Sequence, residues 1–173
     1  MPILANLVVG IDGATTINGK SAPLSSGSDR SRFHAIRERA DLIVIGGMTS
    51  RSEPYAKTPT PLVVITHSLD LPGSAADNPD AIASNSGIVE TINNLRAIYT
   101  TVLIEAGATL VHGALEAKLI DELYLTVTEL HGEGPYLELS PELLRKSELT
   151  LVSEDRAKNG KELYRRYARL PSI

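Results

Sequence analysis

Residues 101–115, TVLIEAGATLVHGAL, form the segment best suited to chemistry. An apolar stretch typical of a buried strand ends there, small residues flank Gly107, and a helical pattern begins. The first amides of a helix have no partners within the helix, and the helix dipole favours an anion. Gly107 would let a diphosphate approach the backbone. The same pattern suits a tight turn that needs small residues for packing, so both interpretations stay open.

A second turn of the same kind, Gly46-Gly47-Met48-Thr49, follows the apolar stretch 42–45. Ligands of open α/β sheets bind at the carboxyl ends of the strands, where both turns belong. Two such turns in one chain favour a dinucleotide site. Neither turn contains the GxGxxG fingerprint of the ordinary Rossmann fold. A Walker A motif is also absent, which argues against hydrolysis of nucleoside triphosphates.

Three charged residues are candidates for catalysis or substrate binding. Glu105 precedes the proposed diphosphate cradle and would repel a diphosphate, so we expect it to face an uncharged ligand group as hydrogen-bond acceptor or proton donor. Asp12 follows the first strand at the same sheet edge, and Arg37 flanks the buried face of a predicted helix. The alternatives are a carboxylate that caps a helix, a simple Asp-Gly turn and a surface arginine.

Composition excludes several classes of protein. The chain has 173 residues, no cysteine and a formal net charge of −4. Without cysteine there are no disulfides, thiolate nucleophiles or iron–sulfur clusters, and the histidines lack metal-ligand spacing, so no metal is expected. Without an excess of Lys and Arg, nucleic acid is not an expected partner. The N-terminus lacks a signal-peptide pattern, and no apolar run approaches about 20 residues, so we expect a cytoplasmic protein without membrane contact.

The elements that must position these residues alternate between strands and helices. A helix is predicted after the caps Ser28 and Asp29, with further helices over 87–98 and after Gly107. Loops are expected over 13–27, 68–79 and 131–140. The predicted strands cover residues 4–10, 42–45, 62–66, 81–84, 101–104, 122–128, 149–154 and 162–167.

This order predicts one α/β domain over residues 1–173. We expect three layers, α/β/α, around a mostly parallel central sheet. The turn signal Asn159-Gly160 predicts that the last two strands form an antiparallel C-terminal hairpin at the edge of that sheet.

Four segments carry a resemblance to a known family. They are VVGIDGATTINGKSAPLS (8–25), SDRSRFHAIRERAD (28–41), LIVIGGMTSRSEPY (42–55) and VLIEAGATLVHGALEAKLIDELYLTV (102–127). In this order they resemble the reductase domain of riboflavin biosynthesis, a pyrimidine reductase with a dihydrofolate-reductase-like fold, in its stand-alone form. The resemblance implies an oxidoreductase that uses NADPH to reduce a phosphoribosyl-aminopyrimidine of the 5-amino-6-(5-phosphoribosylamino)uracil type.

The resemblance also implies roles for particular residues. Glu105 and Asp12 are the candidates for catalysis. The substrate is expected to contact Ser21, Arg37 and Glu105. We expect Arg51, just past the second glycine turn, and His67-Ser68, just past the strand 62–66, to select NADPH over NADH. The other expected cofactor contacts are Val8, Pro23, Gly46, Gly47, Thr49, Glu53, Gly107, Ala108, Thr109, Leu110, Val111 and Gly113.

Three positions depart from the family pattern, namely Gly10, Pro23 and Glu53. Two alternatives therefore accompany the main prediction: a reductase of the same fold for another small substrate, such as a pterin or a carbonyl compound, and a nucleotide-binding module without turnover. Family members are generally dimeric. A homodimer is therefore expected, with tyrosines and arginines of the C-terminal hairpin and of strand 122–128 at its interface.

Overall fold

A computed structural model describes residues 1–171, which form ten strands and five α-helices. The helices are α1 (Gly27–Arg37), α2 (Gly47–Ser52), α3 (Ile88–Leu95), α4 (Ala108–Glu116) and α5 (Pro141–Lys146). The strands are β1 (Ile3–Val9), β2 (Ala14–Thr16), β3 (Leu42–Gly46), β4 (Leu62–Ile65), β5 (Ala81–Ser84), β6 (Val102–Ile104), β7 (Glu122–Thr128), β8 (Glu133–Tyr136), β9 (Thr150–Arg156) and β10 (Glu162–Ala168).

Eight of the strands form one sheet in the order β5-β4-β3-β6-β1-β7-β10-β9. The pairs from β5 to β7 are parallel, whereas β7 pairs with β10, and β10 with β9, in antiparallel register. Central strands such as β3 and β6 are uniformly apolar because both of their faces are covered. The predicted mostly parallel sheet with an antiparallel C-terminal hairpin is therefore confirmed.

Helices cover both faces of this sheet, as the prediction of three layers requires. Ile3 and Ala5 of β1 belong to the larger core, which also takes in buried residues of α3, α4 and α5. Leu4, between them, points to the opposite face and packs with Ile36 of α1. This alternation along β1 follows from the two-residue period of a strand.

The structure corrects three local predictions. Segments 13–27 and 131–140 were expected to be loops, yet β2 and β8 lie within them and pair with each other. Ser26, and not Ser28 or Asp29, caps α1, because its side chain accepts a hydrogen bond from the amide of Asp29. Helix α5 was not predicted, although Ser140 and Pro141 form an ordinary helix start. Within residues 1–171, no helix is long and apolar enough to cross a bilayer.

Candidate active site

A cleft of about 1000 Å³ opens at the carboxyl ends of the parallel strands. The segments that follow β3, β4, β5 and β6 all line it, since parallel strands end at the same edge of a sheet. Helix α1 forms another wall. The topology therefore gathers in one place the two glycine turns that the sequence separates by about sixty residues.

One part of the cleft is built from backbone at the starts of α2 and α4. Gly107 caps α4 without a side chain, and the first turn of α4 carries no acidic residue. A Cβ atom added to Gly46 or Gly107 would meet nothing within 4 Å, so the space beside these residues is open. The free amides at the start of α4 thus face a space that suits an anionic group.

Not every residue of the predicted cradle faces this space. Thr109 and Leu110 line the cleft. Ala108 and Val111 are buried, so their side chains are not available to a ligand, and the Val111 amide already donates a hydrogen bond to the carbonyl oxygen of Gly107. Gly113 lies one turn further on, where an added Cβ would contact Ile88 of α3, so this glycine serves helix packing.

The other part of the cleft is built from side chains, with Glu105 at its centre. Nε and Nη2 of Arg37 donate hydrogen bonds to the two carboxylate oxygens of Glu105 at 2.7 and 2.6 Å. The Tyr55 hydroxyl donates a further hydrogen bond to Glu105 Oε2 at 2.9 Å. The Arg37 guanidinium also lies 4.3 Å from the ring centroid of Phe33. These contacts hold a bidentate ion pair in one geometry.

This ion pair is largely buried. Only 2% of the Glu105 side chain and 13% of the Arg37 side chain are exposed. Burial by itself lowers the pKa of Arg37, but the hydrogen bond and the charge of Glu105 outweigh it and raise that pKa above its ordinary value. Burial, together with the nearby Glu105 charge, raises the pKa of the Tyr55 phenol well above its ordinary value. Arg37 therefore stays charged and Tyr55 stays neutral across the physiological range.

Ser21 and Glu53, two further predicted contacts, are joined across the cleft rim. The Ser21 amide donates a hydrogen bond to Glu53 Oε1 at 2.6 Å, which ties the segment before α1 to the end of α2. Both residues line the cleft, as do Val8, Thr49, Arg51 and His67.

Asp12 and Pro23 lie outside the cleft, contrary to expectation. The Asp12 carboxylate accepts hydrogen bonds from the amides of Ala14 and Gly132 at 3.1 and 3.2 Å, and the bond from Ala14 lowers its pKa. It therefore stabilises a turn, and this arrangement gives no support to its predicted catalytic contact. Pro23 faces a separate groove of about 520 Å³, because the 3-10 turn at Ala22–Leu24 carries its ring away from the cleft.

Asp29, Phe33 and Tyr55 are among the cleft residues to which sequence reasoning gave no binding role. Asp29 was assigned to capping and Phe33 to the core. Their spacing of four residues, continued by Arg37, was the available signal, because it places all three on one face of α1. Tyr55 had no such signal, since its hydroxyl reaches Glu105 only through the tertiary fold.

A comparison with protein families shows to which family the chain belongs. The model of the RibD C-terminal domain family matches residues 2–131. The chain belongs to this family. Membership confirms the resemblance drawn from the sequence and makes the chain a reductase of the riboflavin-pathway type. No curated protein matches the chain.

Solved structures agree with this assignment at the level of the fold. A pyrimidine reductase-like protein of Corynebacterium diphtheriae is 18% identical, with a TM-score of 0.70 over 99% of this chain and 92% of that one. A dihydrofolate reductase of Enterococcus faecalis, in complex with NADP(H), is 17% identical, with a TM-score of 0.74 over 98% and 97%. RibD of Acinetobacter baumannii is 17% identical, with a TM-score of 0.75 over 99% and 59%. The dihydrofolate-reductase-like fold is therefore confirmed.

Proposed function

We propose that this chain is a cytoplasmic, NADPH-dependent reductase of a phosphoribosyl-aminopyrimidine of the 5-amino-6-(5-phosphoribosylamino)uracil type. One observation carries the proposal. The open, glycine-capped start of α4 and the buried Glu105–Arg37 pair lie in the same cleft, only two residues apart at Glu105 and Gly107. The first suits an anionic diphosphate, and the second suits the polar, uncharged part of a substrate.

The residues at the strand ends fit a nicotinamide dinucleotide. The amides of residues 107–110 would bind its diphosphate, because the space beside Gly107 is open and no side chain caps the helix. Thr49 and Val8 line the cleft on either side of this position. Arg51 and His67, both exposed at the rim, would contact the 2′-phosphate. When bound, the nicotinamide supplies a hydride, and the protein orients it and excludes water.

The side-chain part of the cleft would bind the substrate sugar. In the reaction the ribosylamine ring opens to an imine, C1 gains a hydride, and the nitrogen gains a proton, which ordered water can deliver. Arg37 and Tyr55 together occupy both acceptor sites of Glu105 Oε2 and one of Oε1, so the remaining site on Oε1 can accept a hydrogen bond from a sugar hydroxyl. Arg30 and His34, exposed on the same wall, are placed to meet the phosphate.

Steady oxidation of NADPH tests this proposal. We expect consumption with the phosphoribosyl-aminopyrimidine and formation of the ribityl product by mass spectrometry. Binding of NADPH without consumption of any reducible compound would instead indicate a nucleotide-binding module. Consumption only with a pterin or a small carbonyl compound would indicate the same fold acting on another substrate.

We also propose a homodimer, with a revised interface. Tyr124 and Tyr167, expected at the interface, are buried within the chain itself. One of the two edge strands of the sheet is β9, which is exposed along its whole length and carries Leu151 and Val152 at 45% and 39% exposure. An uncovered edge strand with apolar residues favours pairing with a second copy. Light scattering should give the mass of two chains, and Val152→Lys should reduce it to one.

A further inference from the structure

The loop that carries Tyr55 is held from outside the cleft. Residues 54–60, between α2 and β4, contain no helix or strand, so no helix or sheet fixes their main chain. Both main-chain groups of Tyr55 are nevertheless paired with side chains. Its amide donates a hydrogen bond to Ser74 Oγ at 2.8 Å, and its carbonyl oxygen accepts one from Asn78 Nδ2 at 3.0 Å. Neither Ser74 nor Asn78 lines the cleft.

Asn78 is the more buried of these two residues, with only 5% of its surface exposed. Besides its bond to Tyr55, Nδ2 donates to Thr58 Oγ1 at 3.0 Å, and Oδ1 accepts from the amide of Asp80 at 3.0 Å. These partners belong to the two segments that lie before and after β4. Asn78 therefore joins the loop of Tyr55 to the start of β5.

Ser74 joins the same loop to α2. Its hydroxyl accepts the hydrogen bond from the Tyr55 amide and donates one to the carbonyl oxygen of Glu53 at 2.6 Å. The preceding residue, Gly73, has a φ of +57° and lies so close to α2 that an added Cβ would overlap the carbonyl oxygen of Ser50. The turn that carries Ser74 is therefore packed directly on α2.

The aromatic ring of Tyr55 is fixed as well. It packs in the smaller core cluster, with residues of β3 and β4 and with Ala75 of the same turn. The hydroxyl is thereby held 2.9 Å from Glu105 Oε2. A hydrogen bond weakens steeply as its length and angle depart from the optimum, so a small rotation of the Tyr55 main chain would loosen this one. The bond matters because, with those from Arg37, it leaves Glu105 a single free acceptor site, on Oε1.

We propose that Ser74 and Asn78 are positioning residues of the reductase. They hold Tyr55 so that its hydroxyl stays on Glu105 Oε2, and the substrate then meets only the one acceptor site on Oε1. This inference rests on the proposed function, in which Glu105 accepts a hydrogen bond from a sugar hydroxyl. Ser74 and Asn78 lie outside the cleft, so each acts on the substrate only through Tyr55.

A double-mutant cycle between Asn78→Ala and Tyr55→Phe tests whether Asn78 acts through the Tyr55 hydroxyl. We expect Asn78→Ala to lower kcat/KM for the phosphoribosyl-aminopyrimidine about threefold to fivefold, with NADPH affinity unchanged. In the Tyr55→Phe background the same substitution should lower kcat/KM less than about 1.5-fold, because the hydroxyl that it misplaces is already absent. A residue that only stabilises the fold would instead give equal losses in both backgrounds.

Nuclear magnetic resonance reads the position of the hydroxyl without turnover. In protein with tyrosine labelled at the phenol carbon Cζ, the Tyr55 resonance is identified by its loss in Tyr55→Phe. We expect Asn78→Ala and Ser74→Ala each to shift this resonance, because the hydrogen bond of the phenol changes. Ser147→Ala is the matched control, since Ser147 is buried and its hydroxyl donates to a carbonyl oxygen within α5. It should leave both the resonance and kcat/KM as in the wild type.

The inference is wrong for Asn78 if the Tyr55 resonance stays unmoved in folded Asn78→Ala, or if the losses of kcat/KM are equal with and without the Tyr55 hydroxyl. The same measurements on Ser74→Ala decide the role of Ser74, and they carry the test alone if Asn78→Ala does not fold. Failure of the proposed function has a different signature, namely that the phosphoribosyl-aminopyrimidine does not support NADPH oxidation. The Tyr55 resonance still tests both residues in that case.

Discussion

The two parts of the cleft are constructed in opposite ways. Beside Gly46 and Gly107 the surface is backbone, and what matters there is the absence of side chains. Around Glu105 the surface is made of side chains that hold one another through Arg37 and Tyr55. The fold has room for a side chain added to this backbone surface, but such a side chain would occupy the space that a ligand needs. A network of charged side chains responds to the loss of any one member.

The largest effect should come from Glu105→Gln, which removes the charge of Glu105 from its network with Arg37 and Tyr55 but keeps the shape of the side chain. Gln cannot offer two anionic oxygens to Arg37, whose charge is then left without its partner in a buried place. We expect turnover to fall about 100-fold, equivalent to about 2.7 kcal/mol, with NADPH affinity unchanged or tighter.

Glu122→Gln is the control for that change, because Glu122 pairs with Arg39 and Arg166 on a more exposed surface away from the cleft. Its turnover should stay near that of the wild type. Weaker NADPH binding in Glu105→Gln would assign Glu105 to the cofactor instead of the substrate.

Gly107→Val tests the backbone part. The added side chain would fill the open space beside the start of α4, so we expect the NADPH dissociation constant to rise at least about tenfold, or roughly 1.4 kcal/mol. Fluorescence titration measures it. Gly27→Val, at the start of α1 and outside the cleft, is the matched glycine and should leave NADPH affinity intact. If folded Gly107→Val and folded Gly27→Val bind NADPH equally well, the diphosphate does not bind at the start of α4.

Tyr55→Phe sharpens the comparison, because it removes one hydrogen bond to Glu105 and little else. We expect kcat/KM to fall about fivefold, consistent with about 1 kcal/mol for one hydrogen bond, without a change in NADPH affinity. If Tyr55→Phe lowers the affinity for NADPH and leaves turnover unchanged, Tyr55 does not contribute to substrate binding.

The pH profile of the wild type tests the same network. The raised pKa of Tyr55 means that the stability contributed by its neutral phenol is present below pH 10.0 and is lost only as pH rises through the higher value in the folded protein. The pKa of Arg37 is also raised, so its charge persists over the same range. We expect kcat/KM to show no loss from this network up to pH 10.0. If kcat/KM falls near neutral pH in the wild type and this fall is absent in Tyr55→Phe, the expectation is wrong.

The smallest effect should come from Arg51→Ala at the cofactor rim. Arg51 is exposed, so salt screens its interaction with a 2′-phosphate. We expect the preference for NADPH over NADH to fall about threefold to fivefold, less at high salt. If neither Arg51→Ala nor His67→Ala changes the preference for NADPH over NADH, the 2′-phosphate does not contact these residues.

Much of the fold was predictable because its signals are local. The apolar runs of β3 and β6 indicate buried parallel strands, and Asn159-Gly160 indicates the hairpin of β9 and β10. The pairing of β2 with β8 was not predictable, since it joins segments more than one hundred residues apart that carry few apolar residues. Their hydrogen bonds form only after the rest of the chain has brought them together.

The sequence by itself predicted the two glycine turns that form the backbone part of the cleft, because a glycine at a strand end leaves open space wherever the strand lies. It also identified Glu105 and Arg37 through the family pattern. Only the tertiary structure decided what these side chains contact. It paired Glu105 with Arg37, added Tyr55 from a distant loop, turned Asp29 toward the cleft and retained Asp12 in a turn. Burial and partners set the role of a charged side chain, and both depend on residues remote in the chain.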